Sequence, residues 1–447
     1  MFEDLYQKNL AGLLLICGTL LATRSSHRQK PTTQATEPAS KDAAQPASQL
    51  PFYTVYALVM ASDWLQGPYL YSLYRDEHAV SPPLIPLLFT TGFLSGALSA
   101  YFVGSVADRR GRRAACLAFC AVYALSCLLT MVPSVPLLFA GRVLGGVGTS
   151  LLFSAFDAWM VADFQRRGLR ESGLELATTF GTMSTVNSVV AVVSGVVSEW
   201  VVEGMGTRRA PFGVAVGVLV VAAGCILRQW DENYGETPSP SSKSQNAQNQ
   251  LLLKALTNKR VLSLGLASTM FEGSMYLFVF FWAPALESSA YASSSTAPPL
   301  PYGTIFASFM ASMMAASLLF TKLSSSSSST SSVNHGALLS ALLAVSAAIF
   351  YALSSAPRGE QAAFWLFCAF EACVGVYWPC VGVLKGRVVD DAVRGQVYGV
   401  LRVPLNVFVV ASLAVTSGGG DYVRVFRACA AFLMVGAGAV GVVVARQ

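Results

Sequence analysis

Long apolar blocks separated by short polar ones set the pattern of this chain. Crossing a bilayer takes about 20 apolar residues. Segments of that kind fall near 9–22, 52–74, 84–106, 114–132, 136–160, 174–198, 210–228, 261–283, 301–321, 335–354, 362–384, 396–416 and 423–445. They predict an all-α polytopic membrane protein with a core of twelve transmembrane helices and one extra helix before it. Two longer polar stretches read as linkers: 23–50, rich in Pro, Gln, Ala and Thr, and 229–260, which opens Gln229-Trp-Asp-Glu-Asn-Tyr234. The expected division is an extra N-terminal helix (1–22), a linker (23–50), a six-helix bundle (51–228), a cytoplasmic linker (229–260) and a second six-helix bundle (261–447).

Basic residues orient these spans, because Lys and Arg are held on the cytoplasmic side. One side collects Arg24, Arg28, Lys30, Lys41, the turn Arg109–Arg113, Arg166, Arg167, Arg170, Lys254, Lys259, Arg260, Lys385, Arg387 and Arg394. The other shows mainly Arg75, Arg208, Arg209 and Arg358. Both ends of the twelve-helix core are therefore expected in the cytoplasm and the extreme N-terminus outside. A cleavable signal peptide is the rival reading of 1–22, but Glu3 and Asp4 precede its apolar run and the basic residues follow it, the reverse of a secretory signal.

Composition agrees with a membrane protein. Of 447 residues, 54% are hydrophobic and only 12% charged, about half the charge of a soluble domain. Mean hydropathy is +0.53. The net charge of +6 follows from the basic loops and calls for no nucleic-acid partner. The nine Cys contain no C-x-x-C pair and read as small packing residues rather than metal ligands or disulfides. A Walker-type phosphate loop and an H-E-x-x-H motif are absent, and the three His (His27, His78, His335) fall in loops or at helix ends. No enzyme, cofactor or metal is expected, and any transport must be driven by gradients.

The turn Gly104-Ser-Val-Ala-Asp-Arg-Arg-Gly-Arg-Arg113 lies between two apolar spans and matches the G-x-x-x-D-R-x-G-R-R loop between helices 2 and 3 of Major Facilitator transporters. That resemblance implies the two-bundle fold and makes Gly104, Asp108, Arg109, Gly111, Arg112 and Arg113 a cytoplasmic gate. Asp157, near the cytoplasmic end of core helix 4, is expected to pair with these arginines. The corresponding loop of the second half holds the Ser324–Ser329 run with only Lys322 nearby, so the gate motif is not repeated there.

Ionisable side chains within a bilayer are costly and are usually functional. Asp63, Arg142, Glu272 and Glu371 stand on core helices 1, 4, 7 and 10, the cavity-lining first helices of the four three-helix repeats in such folds. At 1.5 Å per residue Asp63 lies roughly 18 Å inside its span, Glu272 roughly 16 Å, and Glu371 roughly 14 Å from the outer end. All three carboxylates are thus near mid-depth and are the candidate proton-coupling groups, with Asp63 alternatively anchored to Gln66 and Tyr69. Arg402 is the second cation; its planar fork suits a tetrahedral oxyanion, and the alternative is a structural pair with Glu371 or Glu272. Pro404 is expected to open the helix beside Asn406. Gln66, Tyr69, Tyr276, Tyr377 and Trp378 are neutral groups that could complete an anion shell, against the alternative of an interfacial aromatic belt. Arg142, in Gly141-Arg-Val-Leu-Gly-Gly-Val-Gly148, reads as structural or proton-coupling before ligand.

Five further stretches narrow the resemblance: Asp63-Trp-Leu-Gln-Gly-Pro-Tyr69, Phe153-Ser-Ala-Phe-Asp-Ala-Trp159, Phe271-Glu272, Phe278-Val-Phe-Phe-Trp-Ala-Pro284 and Arg402-Val-Pro-Leu405. Together with Phe306-Ala-Ser-Phe-Met-Ala311 they resemble the eukaryotic molybdate-anion transporter family, from about Phe52 to the last helix and including the extra N-terminal span. The resemblance departs at Asp157, where Glu is expected. It implies import of molybdate across the plasma membrane, by a monomer whose partners are the anion and the lipid bilayer. The residues alone indicate a gradient-driven carrier of a small, anionic solute; a sulfate or sugar carrier and a non-transporting receptor or scaffold of the same fold are the alternatives.

Overall fold

Continuous apolar runs without turn residues become helices, and among the described residues there are no strands. The computed structural model describes residues 2–28, 44–169, 174–235, 242–293, 299–326, 334–355, 359–389, 394–414, 416 and 422–444. The first half holds α1 (Phe2–Arg28), α2 (Ala44–Trp64), α3 (Leu70–Ser72), α4 (Leu84–Arg110), α5 (Arg112–Thr130), α6 (Val135–Arg166), α7 (Leu176–Met205) and α8 (Ala210–Gln229). Then come α9 (Ser242–Thr257), α10 (Lys259–Ser293), α11 (Tyr302–Ser326), α12 (His335–Ser354), α13 (Glu360–Val388), α14 (Arg394–Ala414) and α15 (Tyr422–Val443). Among the described residues, eleven helices are long and apolar enough to cross a membrane. Much of the expected 23–50 linker with Lys30 and Lys41, together with Arg170, Arg358 and the end of the Ser run, lies outside the described residues.

One expectation about these elements needs correction. The span expected at 52–74 is not one helix: α2 ends at Trp64, Gly67–Tyr69 form a 3-10 turn, α3 follows, and Leu73–Glu77 widen into a π turn. Pro68 explains the break, since it has no N–H to donate to Trp64 and disfavours helical backbone at Gly67. The linker at 229–260 contains α9. Leu252 and Ala255, one turn apart on that helix, pack beside Val261, Val389 and Val397 at the cytoplasmic ends of α10, α13 and α14.

In the first half α6 packs closely on α4 and α5, and α8 on α5 and α2; in the second α12 and α10 pack on α15 and α11 on α13, while α7 packs most heavily on α11 across the two halves. Lipid supplies no hydrophobic drive between helices, so close approach at small residues does the work. A Cβ on Gly146 of α6 would lie 2.6 Å from the Gly96 amide nitrogen of α4, so the two backbones touch there. Ser95 and Ser150 donate across the same crossing to the carbonyls of Val143 and Gly96, both at 2.7 Å.

Helix α1 joins the C-terminal half. Tyr6 donates to Glu360 at 2.5 Å and Asn9 to Gln361 at 3.0 Å, both at the start of α13, while Cys17 reaches the Ala311 carbonyl of α11. Its beginning therefore lies on the side opposite the Arg109–Arg113 hairpin, called the outer side below. On that side the halves are bonded to each other. Arg75, in the π turn, pairs with Glu287 of α10, which also accepts from Tyr302. Ring contacts Tyr69–Tyr302, Tyr71–Phe280, Phe89–Phe280 and Phe93–Tyr276 continue this seal toward mid-depth.

Candidate functional site

Glycines on α10 bring α14 close and so build the C-terminal half of the site. A Cβ on Gly265 would collide with Leu401, and one on Gly273 with Phe408. Between these contacts sits Glu272, 6% exposed. The Tyr377 hydroxyl of α13 donates to it at 2.9 Å, and the Tyr377 ring is fixed by stacking on Phe271 at 4.0 Å. Two turns further along α13, Lys385 places its Nζ 3.8 Å from Glu272 Oε1 and 5.6 Å from the centre of the Tyr398 ring. Arg402, one turn beyond Tyr398 on α14, acts electrostatically on both Lys385 and Tyr276. Tyr276 follows Glu272 by one turn. One cation, Lys385, thus faces the carboxylate with two phenols beside it, and a second, the exposed Arg402, lies within electrostatic reach of Lys385 and Tyr276.

In the other half the charged groups are closed on themselves. Tyr123 of α5 donates to Asp63 of α2. Arg142 of α6 lies within electrostatic reach of that carboxylate, 5.5 Å over the Phe89 ring, with Nε 3.4 Å from the Leu88 carbonyl. Glycines make the space: a Cβ on Gly92 would enter the Arg142 guanidinium, and one on Gly148 would enter the Tyr123 ring.

Several expected partnerships are therefore corrected. Asp63 is anchored to Tyr123, not to Gln66 or Tyr69. The Gln66 amide donates one turn back to the Ser62 carbonyl at 2.9 Å, and Tyr69 bonds Glu199 near the outer side. Among the described residues Arg402 has no ion pair with Glu272 or Glu371, because Lys385 already occupies Glu272. Helix α14 runs unbroken through Pro404, past half-buried Asn406, so the expected opening is absent. Glu371 is 5% exposed and among the described residues has no ion pair. Trp378 is 46% exposed, with its ring edge-on to Tyr377. Lys385 is the residue missed: counted with the cytoplasmic loops, it stands inside α13 on nearly the same face as Tyr377, a spacing of eight that the sequence does contain.

At the cytoplasmic end Asp108 accepts from Arg112 at 2.8 Å, and Arg112 reaches the Ala158 carbonyl at 3.2 Å. The segment after α8 clasps this hairpin. Glu232 accepts from the amides of Arg113 and Ala114 at 2.7 and 3.1 Å, and Arg112 N–H donates to the Asn233 carbonyl at 2.9 Å. Gly111 has φ +108°, a backbone open to glycine, and a Cβ there would strike Glu232. Asp157 does not pair with the hairpin arginines as expected; Asp163 and Asp231 hold Arg166, and Asp163 also holds Arg167. Arg109 is exposed, and a Cβ on Gly104 would meet nothing within 4 Å. Among the described residues these hairpin bonds stay within their own half, whereas the outer side carries bonds between the halves.

Residues 5–370 match the family described as sugar transporters with twelve transmembrane helices. The molybdate-anion transporter of Xenopus tropicalis is 31% identical over 410 residues, covering 91% of this chain and 86% of that protein. That of Danio rerio is 30% identical over 434 residues, with the same coverages. The chain belongs to the molybdate-anion transporter family of the Major Facilitator group. Solved structures support the fold. The nucleoside transporter NupG superposes with a TM-score of 0.61 at 14% identity, covering 88% of this chain and 98% of that one. An auto-inhibited POT family peptide transporter gives 0.67 at 12% identity, with coverages of 90% and 97%. As a member of the molybdate-anion transporter family, the protein is a multi-span membrane transporter. Among its described residues no three His, Cys, Asp or Glu gather as a metal site.

Proposed function

We propose that this transporter imports molybdate by alternating access, its two halves rocking as six-helix bundles about a site on α10, α13 and α14, and that import is coupled to protons. The observation that carries this reading is the group of two cations, one carboxylate and two phenols around Lys385. Lys385 pairs with Glu272, Arg402 lies within electrostatic reach of Lys385 and Tyr276, and Tyr276 and Tyr377 are neutral donors, a set suited to a tetrahedral dianion. The names of the relatives supply the identity of the anion. A proton on Glu272 releases Lys385 to the anion, which links the two cargoes. The closed outer side and the self-contained cytoplasmic hairpin fit a carrier that opens to the cytoplasm in this state.

The test is uptake. Cells lacking their own high-affinity system should accumulate molybdenum when they express this chain in the plasma membrane. Accumulation of sulfate or a sugar in its place would reassign the substrate, and accumulation of none of them would favour a receptor or scaffold.

A further inference from the structure

Where α7 crosses α11, the two halves meet backbone to backbone. A Cβ on Gly195 would lie 2.8 Å from the Gly303 carbonyl oxygen and 2.9 Å from the Ala307 amide nitrogen. One turn further out, Glu199 is 8% exposed. Its Oε2 accepts from the amides of Gly303 at 2.5 Å and Thr304 at 3.2 Å, in the first turn of α11. Tyr69, from the short turn after α2, bonds the same carboxylate. The groups facing Glu199 are thus two amides from α11, one phenol from the turn, and a second acid, Glu203, one turn on along α7. Beyond Tyr69, the Tyr302 ring stands edge-on at 5.9 Å, its hydroxyl committed to Glu287, which also holds Arg75.

Among the described residues no Lys or Arg is within the set that faces Glu199. Its charge is held by hydrogen-bond donors and by the positive end of α11. Two of the three donors belong to the opposite half. If α7 and α11 part, both amides are lost and the carboxylate meets external water. A charged Glu199 therefore favours the sealed outer face, and a protonated one, a weaker acceptor, releases it. A ligand that binds one of two states more tightly shifts the population toward it, and here that ligand is the proton.

We propose that Glu199 is the outer-gate coupling residue: its carboxylate latches α7 to α11, and a proton taken from the external side unlatches them. This rests on the alternating-access reading but not on the identity of the anion.

The experiment reads opening directly, without molybdate. Val192 lies on the same face of α7, is 6% exposed and packs into the C-terminal core, so Val192→Cys is a near-isosteric probe of that junction. An impermeant thiol reagent is applied from outside to the full chain, against the parent without the probe; eight of the nine native Cys are buried and Cys225 is half-buried. Labelling should rise severalfold as external pH falls from neutral to mildly acidic. Glu199→Gln should raise labelling about tenfold at neutral pH and flatten the pH response, since a charged acceptor of several bonds is lost. Tyr69→Phe should raise it about threefold and keep the pH response, because the carboxylate stays. Labelling by Glu199→Gln equal to the probe alone, with the pH response intact, overturns the proposal. Should Glu199→Gln fail to fold, a probe that labels independently of pH overturns it equally. A normal pH response in a chain that takes up no molybdate leaves the latch standing and refutes only the substrate.

Discussion

The pair Lys385–Glu272 allows the sharpest test of the proposed site, because its strength follows from its geometry. At 3.8 Å, and with an effective dielectric near 20, the gross attraction of two unit charges is about 4 kcal/mol. Both side chains are mostly buried, at 18% and 8% exposure, so solvent screens little of it. Removing one partner strands the other. Lys385→Met leaves Glu272 with the Tyr377 bond alone, and Glu272→Gln leaves Lys385 without its carboxylate while Arg402 still acts on it. Each single change should destabilise by about 3 kcal/mol. The double variant removes both charges and should fall well short of the sum, with a coupling of about 1.5 kcal/mol or more. Thermal unfolding of the four proteins in detergent measures this. A double variant as unstable as the sum of the singles would refute the pairing. Adding molybdate to the same proteins reads binding without transport: a ligand at 100 times its Kd stabilises by about 2.7 kcal/mol. That gain should be lost in Lys385→Met.

Arg402→Lys should weaken the apparent molybdate affinity about tenfold by losing the fork while keeping the charge, and Arg402→Ala should abolish uptake; parent-like uptake by the Ala variant removes Arg402 from the site. Asp108→Asn deprives Arg112 of its charged acceptor at 2.8 Å and should lower turnover severalfold with little change in affinity. Molybdate binding in detergent that falls as far as turnover would contradict that division of roles.

The spans were legible because length alone identifies them: a run such as Leu84–Arg110 has no other stable home than a bilayer or a large core. The break after Trp64 was written in Gly67-Pro68, but the apolar residues that continue to Tyr74 mask it. Side-chain pairing was far less legible. Lys385 sits in Lys385-Gly-Arg387, which by the positive-inside count is indistinguishable from a loop; only the packing of α13 on α10 carries it to Glu272. Tyr123 gave no signal, since one Tyr in an apolar span reads as packing until Asp63 is seen beside it. The role of Glu199 depends on an α11 amide more than 100 residues away, and backbone donors leave no mark in a sequence.

Charge arithmetic joins these carboxylates to the cargo. Bringing a dianion into a cell against an inside-negative potential costs about 4.6 kcal/mol at 100 mV. Two protons cancel that cost, and a third leaves about 2.3 kcal/mol of net drive. At the site itself one proton suffices: with Glu272 protonated, Lys385 and Arg402 carry +2, which the dianion neutralises, whereas with Glu272 charged the loaded site would hold an excess negative charge in a low-dielectric interior. The remaining protons need other acceptors. Asp63 is committed to Tyr123 and lies within reach of Arg142, whereas among the described residues Glu371 and Glu199, like Asp157 at the cytoplasmic end, have no ion pair. On this reading uptake rises as external pH falls and collapses with a protonophore. Glu272→Gln and Glu371→Gln should each flatten that pH dependence, Glu272→Gln more strongly because it also sets the charge of the anion site. Uptake indifferent to pH, protonophore and both substitutions would mean that the gradient is supplied by another ion or that the anion moves by facilitated diffusion.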